Sequence, residues 1–227
     1  MADFNYIDLG LKDYKECWDY QEELLKDVSD DKRARKQPSE KNHFLLVEHP
    51  HVYTLGKSGD ESNLLAAGDF LKKIDATFYK INRGGDITFH GLGQVVGYPI
   101  LDLEKYYTDI GKYLRSLEEV IILVLAEYGL KGDRSPGETG VWLDPDNKMK
   151  ARKICALGVR CSRWVTMHGF ALNVNTNLDY FTLIVPCGIP DKQVTSLEKE
   201  LGRAVDMEEV KMCIKEKFSL VFESNLI

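Results

Sequence analysis

Residues 140–174 read GVWLDPDNKMKARKICALGVRCSRWVTMHGFALNV, and this stretch decides the fold. Four strand-like segments follow one another in it: Gly140-Val141-Trp142-Leu143, Ile154-Cys155-Ala156-Leu157-Gly158-Val159, Val165-Thr166-Met167-His168 and Phe170-Ala171-Leu172-Asn173-Val174. Asp144-Pro145-Asp146-Asn147 marks a turn between the first two, because Asp, Asn and Pro favour turn geometry. No helical pattern separates the segments. Parallel neighbours need a crossover of a dozen or more residues, so such a run requires antiparallel or mixed pairing.

The same reading extends outward. Residues 4–9 form a short strand and 12–28 a helix, with Tyr14, Cys17, Trp18, Leu24, Leu25 and Val28 at roughly helical spacing. The charged segment 29–38 ends in Pro38 and reads as a solvated helix end or loop. Strands are expected at 44–48, 51–56, 77–81 and 94–102. The clearest helix is 108–129, with Ile110, Tyr113, Leu114, Leu117, Val120, Ile121, Val124 and Leu125 on its apolar side and Gly129 as its stop. A last helix is expected from 206 to 222, capped by Asp206 with Glu208 and Glu209 in its first turn. Strands in runs, with helices between the runs, give an α+β class: a mixed sheet with packed helices. The 227 residues fit a single domain spanning 1–227.

Composition narrows the function. The chain is 44% hydrophobic and 29% charged, which fits a globular core and argues against disorder. Thirty Lys and Arg against 36 Asp and Glu give a formal charge of −6, so nucleic acid is not the expected partner. The longest apolar run, 120–126, is too short to span a bilayer, and the N-terminus has no basic start followed by an apolar stretch. A cytoplasmic location, with no membrane partner, follows as the expectation. The five cysteines, at 17, 155, 161, 187 and 213, are then expected as thiols. No CxxC pair is present and no metal site is expected.

Four segments could carry chemistry. In Arg83-Gly84-Gly85-Asp86-Ile87-Thr88-Phe89-His90-Gly91-Leu92-Gly93-Gln94, glycines are interleaved with an arginine and a histidine. It reads either as a hairpin that turns the chain or as a loop whose backbone approaches a ligand. Its partial GxGxxG pattern has the third glycine misplaced and no following helix, so a dinucleotide site is excluded. In 150–160, Lys153 stands at the mouth of a strand, as a solvated end or as an ammonium beside a reacting group. In 168–175, His168 reads as a satisfied core or edge histidine, and its asparagines could bond a neighbouring loop. In 184–190, Cys187 lies between Pro186 and Gly188, on a stiff, sharply turned segment. Cys17 and Cys213 fall in helical patterns and behave as small hydrophobes. If one cysteine is a nucleophile, it is Cys187.

RGGDITFHGLGQ, KICALGVR, HGFALNVN and PCGI, in this order and spacing, resemble the lipoyl(octanoyl) transferase family, over roughly residues 43–197. The resemblance implies the fold of the biotin/lipoate protein ligases. It implies transfer of an octanoyl group from octanoyl-acyl-carrier protein to a lysine of lipoyl domains, as the first step of endogenous protein lipoylation, without a cofactor. The acceptors would be 2-oxoacid dehydrogenases and the glycine cleavage H protein. The acyl-bearing cysteine of the family matches Cys187, and the lysine that tunes it matches Lys153. Its substrate-contacting stretches match Arg83, Gly84, Gly85, Asp86, Ile87, Thr88, Phe89 and His90; Ala156, Leu157 and Gly158; and Gly169, Phe170 and Ala171. Many members carry proline where this chain has Leu92, and often Gln and Tyr where it has Asp86 and Phe89.

The rival readings are an ATP-dependent lipoate ligase of the same fold, a cysteine-dependent thioester hydrolase, and a non-catalytic carrier-binding or lipoyl-domain-binding protein. For docking of an acidic carrier, the basic stretch Lys148, Lys150 and Arg152 is the expected surface. Strand alternation would set these three on one face and Lys153 on the other.

Overall fold

The computed structural model describes residues 2–66, 68–185 and 193–226. In chain order the elements are β1 (Ala2–Leu11), α1 (Tyr14–Arg35), β2 (His43–Glu48), β3 (Val52–Leu55), α2 (Asp69–Lys73), β4 (Thr77–Lys80), β5 (Ile87–His90), β6 (Gln94–Ile100), α3 (Ile110–Glu127), β7 (Gly132–Asp133), β8 (Val141–Leu143), β9 (Arg152–Ser162), β10 (Val165–Asn173), β11 (Gln193–Val194), α4 (Leu197–Leu201), α5 (Met207–Val221) and β12 (Ser224–Leu226). Among the described residues these make a large mixed sheet ordered β12-β1-β2-β6-β10-β9-β8-β7, with β11 added beside β9, and a three-stranded sheet ordered β4-β3-β5.

The α+β expectation holds, and alternation explains how one sheet serves two cores. In β2, Phe44 and Leu46 join the larger core, which includes Tyr113, Leu117 and Val124 of α3 and Ile214 and Phe218 of α5. Leu45 and Val47 point the other way and pack with Cys17, Leu25 and Val28 of α1. A strand covered on both faces reads as a continuous apolar run, which is why Phe44-Leu45-Leu46-Val47 shows no polar alternation. A separate cluster fills the small sheet, where Tyr53, Ile87 and Phe89 pack against Tyr180 and Phe181 of a short 3-10 helix.

Helix α1 runs to Arg35, seven residues past the apolar periodicity. Its last turns are polar, and the anchor is electrostatic. Lys32 pairs with the buried Asp102 at 3.0 Å and donates to the Arg163 carbonyl at 2.9 Å. Asp13 caps the N-terminus by accepting from the amides of Lys15 and Glu16. Asp206 caps α5 through the amides of Glu208 and Glu209, as expected.

The segments 165–168 and 170–174 form one strand, β10, joined to β9 by a tight turn. Arg163 and Trp164 both have positive φ, 52° and 67°, the geometry of a type I′ hairpin. Within β10, His168 also has positive φ, 58°. Its amide donates to the buried Gln21 Oε1 at 2.9 Å instead of joining the ladder to β6, whose paired register begins at Phe170. A left-handed non-glycine residue costs on the order of 1–2 kcal/mol, so a side chain on α1 holds this kink in place. No described helix is long and apolar enough to cross a membrane.

Candidate active site

A cavity of about 600 Å³ opens between the small sheet and strands β6, β10 and β9 of the large one. The segment 83–86 and β5 form one wall. Gly84 donates its amide to the Val159 carbonyl at 2.9 Å, tying this wall to β9. A Cβ on Gly158 would stand 2.8 Å from the Gly84 carbonyl oxygen, so the two backbones meet only because that side chain is missing. Gly85 adopts φ +87°, a conformation that L side chains rarely take. Arg83 lies almost buried beneath the loop, with Nη2 donating to the carbonyl and hydroxyl of Thr54 at 2.7 and 3.0 Å and Nη1 to the Gly84 carbonyl at 3.0 Å. Asp86 accepts from its neighbour's amide, Ile87 N, at 2.7 Å and from Asn63 Nδ2 at 2.8 Å.

Lys153 enters from β9, half-buried. Its Nζ donates to the Thr139 carbonyl at 3.2 Å and lies 4.7 Å above the centre of the Trp142 ring. The 134–140 segment that supplies Thr139 is itself held by Glu118 of α3. This fully buried carboxylate accepts from Gly140 N at 3.0 Å and Arg134 Nε at 3.1 Å, and pairs with Arg115 at 2.6 Å.

The expected site residues come together with two exceptions. Arg83 to Thr88, His90, Lys153, Ala156, Leu157, Gly158, Gly169, Phe170 and Ala171 all line the cavity. Phe89 does not. Alternation along β5 turns its ring into the small-sheet core, stacked on Tyr180 at 4.7 Å. Cys187 lies outside the described residues. Ile184 before that stretch and Val194 after it both line the cavity. Burial pushes the Cys17 thiol up to about 12 and raises those of Cys155, Cys161 and Cys213, so none of these four is poised as a thiolate.

Several lining residues were not singled out from sequence. Tyr14 arrives from α1 and stacks on His90 with ring centres 5.8 Å apart. Gln94 and Tyr98 come from β6, and Ile110 and Leu114 from α3. His168, read as a core histidine, also lines the wall, as does Asn173. Tyr14 and Tyr98 sit at positions that apolar periodicity assigns to the core, so periodicity hides them.

The basic surface expected at 148–152 does not form as described. Residues 148–150 are turn, so strand alternation does not apply there. Arg152 is already paired, with Asp144 and Glu200 both at 2.6 Å, and these carboxylates raise its pKa.

Residues 13–219 match the family model of the lipoyl protein ligase A/B catalytic domain. The chain belongs to this family. It is 62% identical to the octanoyltransferase of Christiangramia forsetii over 223 residues, covering 96% of this chain and 95% of the relative. In fold it is similar to a chain from the structural analysis of an archaeal lipoylation system, a bi-partite lipoate protein ligase and its E2 lipoyl domain from Thermoplasma acidophilum, at TM-score 0.70 and 18% identity. The match covers 100% of this chain and 86% of that one. It is also similar to the biotin protein ligase of Aquifex aeolicus, at TM-score 0.52 and 12% identity, covering 98% and 70%. The chain is thus an enzyme, an acyltransferase on the biotin/lipoate ligase fold.

Proposed function

We propose that the chain transfers an octanoyl group from octanoyl-acyl-carrier protein to a lysine of lipoyl domains, through a thioester on Cys187. The observation that carries the reading is the half-buried Lys153 ammonium at the wall of an apolar cavity, flanked by Ile184 and Val194 on either side of the Cys187 stretch. The close relationship to octanoyltransferases supports the acyl group. We take residues 1–227 as one catalytic domain, since β1 and β12, from opposite ends of the chain, pair in the same sheet.

In the first step Lys153 favours the Cys187 thiolate, which attacks the donor's thioester carbonyl. The carbon–sulfur bond to the carrier breaks, and the departing thiolate takes a proton from Lys153. In the second step the acceptor amine attacks the Cys187 thioester, a proton passes to Lys153, and Cys187 leaves. Ile110, Leu114, Leu157 and Phe170 supply apolar surface for the tail. At about 0.8 kcal/mol per buried methylene, an octanoyl tail contributes about 5 kcal/mol of binding. Arg83 through His90 without Phe89, together with 156–158 and 169–171, form the substrate-binding walls.

The test is intact-mass spectrometry after incubation with octanoyl-carrier protein, without ATP. Wild type should gain one octanoyl mass, and Cys187→Ala should gain none. A thioester retained on Cys187→Ala, or an absolute need for ATP, would overturn the proposal in favour of another nucleophile or of a ligase.

A further inference from the structure

Two histidines, His90 and His168, line the cavity and a third, His49, stands behind the lining Tyr98; their hydrogen bonds divide them into two kinds. His49 is closed. Its Nδ1 faces the Lys12 carbonyl at 2.7 Å and must donate, so its Nε2 accepts from the Tyr98 hydroxyl at 2.9 Å. His90 and His168 are open. Each lines the cavity, each bonds one side-chain amide through one ring nitrogen, and the other nitrogen has no hydrogen bond among the described residues.

Which nitrogen carries the proton follows from the groups at the far end of each chain. The Thr195 carbonyl can only accept, so Asn173 presents Nδ2 to it at 3.0 Å and turns Oδ1 towards Gln94. Gln94 donates Nε2 to that oxygen at 2.9 Å and to the Phe89 carbonyl at 3.3 Å. Its Oε1 therefore faces His90 Nδ1 at 2.8 Å and accepts. His90 is protonated on Nδ1 and keeps a lone pair on Nε2.

The second chain shares no residue with the first. Glu22, paired with Arg160 at 2.6 Å, accepts from Asn82 Nδ2 at 3.2 Å. Asn82 Oδ1 then faces His168 Nε2 at 3.0 Å. His168 is protonated on Nε2 and keeps its lone pair on Nδ1. The backbone kink at His168, with its amide held by Gln21, sets the position of this ring.

We propose that His90 Nε2 and His168 Nδ1 are fixed hydrogen-bond acceptors for an N–H donor of the substrates, and that Gln94 with Asn173, and Asn82 with Glu22, are the positioning residues that set the two tautomers. The proposal rests on the acyl-transfer reading above. An acyl chain and a thioester carbonyl offer no donor, so these lone pairs do not serve them. The N–H groups that reach the reacting carbon are the amide of the carrier's pantetheine arm and the ε-amine of the acceptor lysine. Burial lowers both histidine pKa values to about 3, with further lowering from neighbouring positive charge, including Arg83 beside both rings. At neutral pH both rings are neutral imidazoles, each with one N–H and one accepting nitrogen, and proton transfer stays with Lys153.

Long-range ¹H–¹⁵N correlation on histidine-labelled enzyme, without substrate, reads the tautomers directly. His90→Phe and His168→Asn assign the signals. Protonated Nδ1 on His90 and protonated Nε2 on His168 are expected at pH 7. The opposite tautomer or an imidazolium at either ring overturns the proposal.

A kinetic arm uses His90→Phe and three measurements: acylation by an octanoyl ethyl thioester, which has no N–H; acylation by octanoyl-pantetheine; and transfer from preformed acyl-enzyme to a lipoyl domain. The first should fall least, while the second, the third or both fall at least about tenfold further than it. Which one falls identifies the donor group. Equal loss in all three, or loss in none, overturns the acceptor role. Failure of wild type to acylate Cys187 would instead overturn the acyl-enzyme reading, since the spectrum decides the tautomers without substrate.

Discussion

The Lys153 ammonium is held from two sides, by the Thr139 carbonyl and by the face of Trp142. Both contacts suit a small cation on a flexible stem. Arginine would keep the charge and the ring contact but could not give up its proton. General acid–base catalysis contributes about 10²–10⁴-fold. Lys153→Arg should therefore lose at least about 100-fold in turnover, while iodoacetamide still alkylates the Cys187 thiolate readily. Turnover near wild type in that variant would reduce Lys153 to an electrostatic partner. At this scale much of the candidate site was legible in the sequence. Arg83, the glycines at 84 and 85, His90 and Lys153 stand in a polar or glycine-rich context that a core does not need. Gln94 and Asn173 stood in two of the four candidate segments, but their bond to each other was not legible, because a buried amide is recognised by what it bonds and the two lie 79 residues apart in the chain. Phe89 was misplaced because a motif does not say which face of a strand a residue takes.

Helix α3 links the core to the site. Its apolar stripe fills the larger core, while Glu118 on the same helix gathers Arg115, Arg134 and the Gly140 amide. Glu118→Gln keeps the shape but removes the charge that two guanidinium groups share. A loss of about 1–3 kcal/mol in stability is expected, below the usual cost of breaking a buried pair because both arginines are partly exposed. Since Glu118 also fixes the segment carrying Thr139, turnover should fall several-fold with KM nearly unchanged. Urea unfolding and steady-state kinetics on the same variant check both parts; an unchanged kcat would detach α3 from the site. The sequence revealed α3, α5 and most of α1 by their helical periods, and the strands β1, β2, β3, β4, β6, β8, β9 and β10 by their apolar runs. The last turns of α1 are polar, α2 and α4 have five residues each, and β5 is hidden inside a glycine-rich motif. None of these carries a long apolar pattern, so neighbours and caps decide them.

On the scale of the whole molecule, the two sheets and α1 bury three neutral histidines, two in the cavity wall and His49 behind Tyr98. Burial lowers His49 to about 4 and His90 and His168 to about 3. In the unfolded chain each returns to about 6.5. Between those values the unfolded state binds more protons than the folded one, so stability rises with pH across this window. The stability is fully present above pH about 6.5 and is lost progressively as the pH falls towards the folded values. By pH 4.5 the loss is on the order of 2–3 kcal/mol per histidine, enough in sum to approach the whole stability of an ordinary domain. Asp144 and Glu200, held below the usual carboxylate range chiefly by hydrogen bonds from Arg152, add to the loss at still lower pH. The melting temperature should therefore fall steeply from pH 7 to 4.5. His49→Gln can donate to the Lys12 carbonyl and accept from Tyr98 without titrating, so it should make that fall shallower. A flat profile in wild type, or a steeper one in His49→Gln, would show that the buried histidines do not govern acid stability.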